Sequence, residues 1–326
     1  MAHITSVGPF LQSIFTFRPM FADSVATSFF NNQPFGYETT IPWNDAIETA
    51  YIGPRGVRLT TAFTGDALTI SPRDIETGAV TGRVEGIFTY SGHRATGDLL
   101  HAASIWGFSL RLADIRTVAL TADTTDDKAL LKTILAGNDT IRLGAYGDKV
   151  ASYGGNDLIY AGKGSDVAQG GSGADRLYGQ DGYDTLIGGD GNDVLIGGKG
   201  ADLLHGEHGE DRFVFDDGHL GLGIGARDTI EGWSREDVLD FSQIDGNTRV
   251  AGDQRLSFST DMIEALKPKR NAFWVVADGA DMIIRFDVNG DAAHDFELVI
   301  ADQASMVARI DRDYGLTSEL TGLFVH

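Results

Sequence analysis

The chain contains no cysteine and only seven prolines in 326 residues. Without cysteine there is no disulfide framework, no thiolate metal site and no cysteine nucleophile. Scarce proline sets aside collagen and proline-rich linkers, even though glycine is abundant at 42 residues. Basic residues are also few: 26 Lys and Arg stand against 47 Asp and Glu, a formal net charge of −21. So acidic a molecule disfavours nucleic acid and anionic membrane as partners and points to cations. No run of 18 apolar residues occurs, so no transmembrane helix is expected. The opening stretch MAHITSVGPFLQSIFTFRPMF lacks a basic start, a continuous apolar run and a small-residue cleavage site, and no cleavable leader is expected there.

What is present is uneven. The length and an apolar content of 42% suffice for more than one domain with a buried core. Residues 137–217 hold 15 acidic and 6 basic side chains and 20 of the 42 glycines, whereas residues 1–136 hold 13 acidic and 10 basic ones. That shift marks a domain.

Inside it one Asp recurs every nine residues: Asp139, Asp148, Asp157, Asp166, Asp175, Asp184, Asp193, Asp202 and Asp211. Two residues after each stands an apolar residue: Ile141, Val150, Ile159, Ala168, Leu177, Leu186, Leu195, Leu204 and Phe213. Two residues before each stands Gly, with Tyr146 the one exception. A disordered Gly/Asp linker has no reason to hold such a register. The cleanest unit is Gly188-Gly189-Asp190-Gly191-Asn192-Asp193-Val194-Leu195-Ile196.

This pattern resembles the RTX (hemolysin-type) family, whose glycine-rich nonapeptides form a calcium-binding parallel β-roll. The resemblance implies a mainly β fold in which six residues turn and three form a short strand. Two units then make one coil of 18 residues. Asp139, Asp157, Asp175, Asp193 and Asp211 would line one edge, and Asp148, Asp166, Asp184 and Asp202 the other, with neighbours about 4.8 Å apart. At an effective dielectric of about 20, two carboxylates at that spacing repel by roughly 3.5 kcal/mol. A hard dication that takes six to eight oxygens reverses the sign.

The family pattern also implies that backbone carbonyls complete the shell. They come from two and four residues before one Asp, and from three and five residues before the Asp of the next coil. The glycines implicated are Gly155, Gly162, Gly164, Gly171, Gly173, Gly182, Gly188, Gly189, Gly191, Gly197, Gly198 and Gly200. Gaps between coils allow up to seven calcium ions. The end units are weaker, with Tyr146 and Lys149 in one and Glu207 in place of Gly in the other.

The flanks divide the rest. Residues 1–122 read as a β-sandwich-like domain: Val80, Val84, Phe88 and Tyr90 share one parity, and Phe108, Leu110 and Leu112 alternate. Its start is rich in Phe (Phe10, Phe15, Phe17, Phe21, Phe29, Phe30, Phe35), which suits a packed core. Residues 123–136 read as a helix capping the roll, started at Thr124 or Thr125, with Ala129, Leu130, Leu131 and Ile134 as its apolar face and Gly137 after its end. Residues 218–313 read as a C-terminal β cap. There RDTIEGWSREDVLDFSQIDGN is similar to the segment that follows the roll in serralysin-type proteases, with Trp233 and Leu239-Asp240-Phe241-Ser242 in the matching places.

Further on, Met282, Ile284 and Phe286, then Phe296, Leu298 and Ile300, predict a hairpin. Its loop Asp287–Asp291 begins like an EF-hand, then departs at Ala292 and Leu298 and reads as an acidic turn. Residues 314–326, with Glu319 before Leu320, Leu323, Phe324 and Val325, are similar to the signal read by type I secretion machinery. Family resemblance thus implies a protein secreted by a Gram-negative bacterium, kept unfolded by low cytosolic calcium and folded by calcium outside.

Catalysis has no motif here. No H-E-x-x-H and no G-x-S-x-G occurs among His3, His93, His101, His205, His208, His219, His294, His326 and the serines. The favoured expectation is a non-catalytic calcium-binding protein acting in matrix, adhesion or partner binding, with a glycan or cell-surface ligand for the N-terminal domain. The alternative is a hydrolase or lyase using a carboxylate pair such as Asp66 and Asp74, or Asp98 and Asp114.

Overall fold

The structure is a computed structural model. It describes residues 129–216, 227–245, 248, 273–291 and 294–303 in full; outside these it gives only the backbone of several strands and of the start of a helix. The chain divides into two units, Met1–Tyr153 and Gly154–His326.

In the first unit, strands β1 (His3–Ser6), β2 (Ala26–Phe30), β3 (Asp45–Ile52), β4 (Arg58–Ile70), β5 (Val80–Gly92) and β6 (Leu99–Arg111) form one antiparallel sheet in the order β2-β3-β4-β5-β6-β1. The register slips beside Gly65 and Gly86, where a residue without Cβ eases a bulge. The region is β-rich, as its alternation predicts. Its strands lie in a single sheet, and no second facing layer stands among the described residues. Strand β7 (Thr140–Arg142) joins β1 in parallel, and β8 (Lys149–Ala151) completes the unit.

Helix α1 runs from Thr124 to Ile134. Its buried face is Leu130, Leu131, Ile134 and Leu135, and Ala129 is exposed. The expected face was off by part of a turn, because two i, i+4 pairs of large side chains bury more apolar area than one containing Ala.

In the second unit the nine-residue period becomes strands of six: β9 (Leu158–Lys163), β10 (Val167–Ser172), β11 (Arg176–Asp181), β12 (Thr185–Asp190), β13 (Val194–Lys199) and β14 (Leu203–His208), followed by β15 (Arg212–Asp216). The sequence reading allowed only three strand residues per unit. The strands run on through the glycines because these keep pairing, as in Gly171 with Gly189 and Gly162 with Gln180. Alternate strands pair in parallel, 18 residues out of phase: Leu177 faces Leu195, and Leu186 faces Leu204. The residue two after each Asp points inward, and Ile159, Ala168, Leu177, Leu186, Leu195, Leu204 and Phe213 are all fully buried.

The roll does not stop at its last nonapeptide. Strands β16 (Asp228–Glu231) and β17 (Val238–Gln243) pair in parallel with β14 and β15, at a spacing of 26 residues rather than 18. The C-terminal part then extends both sheets. Beyond β18 (Ser257–Phe258), strands β19 (Ala272–Asp278), β20 (Asp281–Asp287) and β21 (Phe296–Ile300) form an antiparallel meander, and β21 docks in parallel on β16. The predicted hairpin is present, with Met282 opposite Ile300, Ile284 opposite Leu298 and Phe286 opposite Phe296. Phe241, Phe273, Phe286 and Phe296 pack ring against ring at 4.4–5.7 Å between centroids. Strand β22 (Phe324–Val325) lies in parallel on β17, with Phe324 opposite Leu239.

The inward leucine column sets a stability test. Leu195→Ala should lower the unfolding free energy of the calcium-loaded chain by about 2–5 kcal/mol, and Ile196→Ala, one residue on and facing outward, by clearly less. Chemical denaturation with saturating calcium measures both. Equal losses would contradict the inward assignment.

Candidate metal centre

The site is built by strand pairing. Because the coils stack in exact 18-residue phase, each Asp falls under its predecessor. In the second unit the columns are Asp157, Asp175, Asp193, Asp211 and Asp166, Asp184, Asp202, all buried. Every step is fixed by one bond: the backbone N–H of an Asp donates to Oδ1 of the Asp one coil later. These distances are 2.7 Å for Asp157 to Asp175, 2.8 Å for Asp166 to Asp184 and Asp175 to Asp193, 2.8 Å for Asp184 to Asp202 and 2.9 Å for Asp193 to Asp211. Asp139 and Asp148 belong to the first unit and are also buried; Asp148 accepts from the Gly144 amide at 3.3 Å.

The second oxygen is the informative one. Oδ2 of Asp175, Asp184, Asp193 and Asp211 is buried and accepts no hydrogen bond. A buried carboxylate oxygen without a donor costs on the order of 1–3 kcal/mol or more. Each faces a glycine five residues earlier. A Cβ placed on Gly170 would strike Asp175 Oδ2 and the Gly188 carbonyl. On Gly179 it would strike Asp184 Oδ2 and the Gly197 carbonyl, and on Gly188 it would strike Asp193 Oδ2 and the Gly206 carbonyl. Three cradles therefore each bring together a carboxylate oxygen and a glycine carbonyl of the next coil, with no donor between them. That donor set suits a hard, oxygen-seeking cation. No group of three or more His, Asp or Glu side chains converges among the described residues, so backbone carbonyls must supply most of any shell.

The glycines separate into two kinds. Gly155, Gly162, Gly164, Gly171, Gly173, Gly182, Gly189, Gly191, Gly198 and Gly200 have positive φ, as at Gly191 with 136°. Gly188 and Gly197 do not; they are glycine because a side chain would fill the carboxylate's space. Gly170, Gly179 and Gly206 occupy that same position, and the sequence reading passed over them. Their constant place five residues before Asp was the available signal. Tyr153, Gln180 and Glu207 hold a positive-φ position without being glycine, a strain of order 1–2 kcal/mol each. For Glu207 this agrees with the weakness seen in its unit.

Two more rungs were also missed. The Asp202 amide donates to Asp228 Oδ1 at 2.9 Å, and the Asp211 amide to Asp237 Oδ1 at 3.0 Å. Asp228 and Asp237 are again nine apart, each with an apolar residue (Ile230, Leu239) two places on. The longer coil broke the count and hid them.

Other candidates fall elsewhere. In the loop after β20, Asp287 Oδ1 accepts from Gly290 N at 2.6 Å, and Asp295 Oδ2 accepts from Val288 N at 2.8 Å and Asn289 N at 3.1 Å. These carboxylates build the turn. His208 is exposed, 3.2 Å from Asp190, and His205 lies 3.7 Å from Glu231. Asp66, Asp74, Asp98, Asp114, His93 and His101 lie outside the residues whose side chains are described.

Charge makes the columns sensitive to protons. Asp175 and Asp211 are pushed up from 3.8 to about 6, Asp184 and Asp193 to about 7, and Asp228 to about 8. Burial is the main cause; the neighbouring carboxylates add to it and the amide hydrogen bond opposes it. Between about pH 4 and 7 the folded coil thus holds protons that the unfolded chain has released, so its stability falls as pH rises. Circular dichroism of the chain in EGTA should show more β structure at about pH 5 than at about pH 8. The opposite trend would contradict the stacked arrangement.

Comparison with known proteins gives a family for this segment. Four copies of the RTX calcium-binding nonapeptide repeat match, at residues 135–168, 152–186, 169–204 and 187–219. Among solved structures, the chain is similar to the extracellular lipase LipA from Serratia marcescens (17% identity, TM-score 0.26), over 51% of this chain and 36% of the lipase. It is also similar to the AlgE6R2 subunit of the Azotobacter vinelandii mannuronan C5-epimerase (22% identity, TM-score 0.24), over 49% of this chain and 83% of that subunit. No curated protein matches the chain. Through the nine-residue register, the parallel coils and the family match, the chain carries a block of RTX calcium-binding nonapeptide repeats over residues 135–219.

Proposed function

We propose that this is a secreted, non-catalytic calcium-binding protein whose roll folds only when calcium reaches it outside the cell. The carrying observation is the set of buried, donor-free oxygens on Asp175, Asp184 and Asp193, each beside a glycine carbonyl of the following coil. A hard divalent cation held there neutralises two stacked carboxylates at once. The ligands would be the Asp columns with the glycine carbonyls of the turns, up to seven sites within the nonapeptides and a further gap between Asp202 and Asp228. At about 1 mM calcium and a site Kd of about 0.1 mM, each site adds roughly 1.4 kcal/mol. Several such sites rival the whole stability of a domain. At the far lower calcium of a cytosol the columns repel, and the chain stays open for a narrow export channel.

The C-terminal β cap would close the roll and α1 would cover its first coil. The N-terminal β domain would bind a partner, a glycan or cell-surface ligand, in a matrix or adhesion role. Residues 314–326 would carry the signal for type I secretion machinery of a Gram-negative cell. Within the folded chain Phe324–Val325 form β22, so the same residues serve as an edge strand once folding is complete.

Two experiments test this reading. Calcium titration followed by circular dichroism should show cooperative gain of β structure, reversed by EGTA; identical spectra in both states would contradict it. In the same titration Gly179→Ala should raise the calcium midpoint at least several-fold by filling one cradle, while Gly137→Ala, with open space around it, leaves the midpoint unchanged. For export, deleting residues 314–326 should abolish appearance in the culture medium; undiminished export would rule the signal out.

A further inference from the structure

The column of Asp175, Asp193 and Asp211 runs on to Asp237, but the last rung is made differently. Asp237 is buried like the others, and its Oδ1 accepts the Asp211 amide at 3.0 Å, continuing the ladder. Its Oδ2 does not stay open. The Ser234 backbone N–H donates to it at 2.7 Å, whereas Oδ2 of Asp175, Asp193 and Asp211 has no donor. Ser234 is part of a tight turn: its Oγ accepts from Glu236 N at 3.1 Å, and its carbonyl accepts from Asp237 N at 3.4 Å.

The cradle has gone as well. Five residues before Asp175, Asp193 and Asp211 stand Gly170, Gly188 and Gly206, each with the carboxylate Oδ2 where a Cβ would go. Five residues before Asp237 stands Gly232, with φ of 71° and nothing within 4 Å of its Cβ position. The next position, glycine at Gly171 and Gly189, is the buried Trp233. The amide that meets Asp237 Oδ2 presents a positive dipole end where a cation would have to sit.

We propose that Asp237 is a metal-free stop: the Ser234 amide occupies the oxygen that earlier rungs offer to a cation, so calcium loading on this edge ends at Asp211. The stop supplies the next carboxylate oxygen to the ladder with both of its own oxygens hydrogen-bonded. It lets the column meet the C-terminal cap with its polar groups satisfied rather than with an open site. Asp228, at the end of the other edge, accepts the Asp202 amide through its Oδ1 at 2.9 Å.

This inference rests on the calcium reading above, and its test separates the two. Equilibrium dialysis of the full chain against calcium counts bound ions for wild type, Asp193→Asn and Asp237→Asn. Asp193→Asn should lose at least one equivalent. Asp237→Asn should keep the wild-type count, while its calcium-loaded form melts at a lower temperature for want of the Ser234 bond. An equal loss of calcium in both variants overturns the proposal. If Asp237→Asn does not fold, wild-type crystals soaked with terbium decide: anomalous peaks beside Asp175 and Asp193 with none in coordination range of Asp237 support the stop, and a peak on Asp237 overturns it. Wild type that binds no calcium would instead dismiss the underlying reading.

Discussion

Everything in the roll depends on one carboxylate placed twice over. Each of Asp175, Asp184, Asp193 and Asp211 spends one oxygen on the amide of the coil before it, which fixes the register, and turns the other into a space with no donor. The first interaction can hold only if the coils are in 18-residue phase. The second makes that phase unfavourable for bare carboxylates, since burial and like charge both resist it. A structure that needs close stacking and also penalises it is poised on whatever neutralises the second oxygen. Protons do so only up to about pH 7–8, where the most buried of these groups titrate; a hard cation does so throughout.

The glycines divide along the same line. Those at positive φ, such as Gly191, bend the chain back so that one coil lies directly over the next. Those such as Gly188 have ordinary backbone and exist to leave room for a carboxylate. A composition count cannot separate the two kinds, yet they fail in different ways. A side chain at the first kind strains the turn, whereas at the second it fills a ligand's space. Gln180 and Glu207 show that the first kind tolerates replacement at some cost.

The roll was legible because its period is strict. Asp at one phase and Leu or Ile two places on leave one arrangement in which charges share edges and apolar residues share a core. The hairpin of Met282–Phe286 with Phe296–Ile300 was legible for the same reason, since alternation fixes which residues face each other. Asp228 and Asp237 were not, because the coil that precedes them is longer and nine-residue counting loses phase across it. The docking of β21 on β16 was also hidden: nothing local to either strand names a partner about 70 residues away. In α1 the pattern gave the helix but not its exact face, which depends on how the pairs Leu130–Ile134 and Leu131–Leu135 pack rather than on spacing alone.

The central claim is that charge on the second oxygen, not a lack of local strand propensity, keeps the roll from folding without calcium. Replacing Asp175, Asp184 and Asp193 together by Asn tests it most directly. Asn keeps the Oδ1 acceptor of each ladder bond, and its Nδ2 can donate to the carbonyls of Gly188, Gly197 and Gly206 that flank the open oxygens. Far-ultraviolet circular dichroism in EGTA should then show β structure that the parent chain lacks, with little further gain on adding calcium. A triple variant as unfolded in EGTA as the parent would contradict the account.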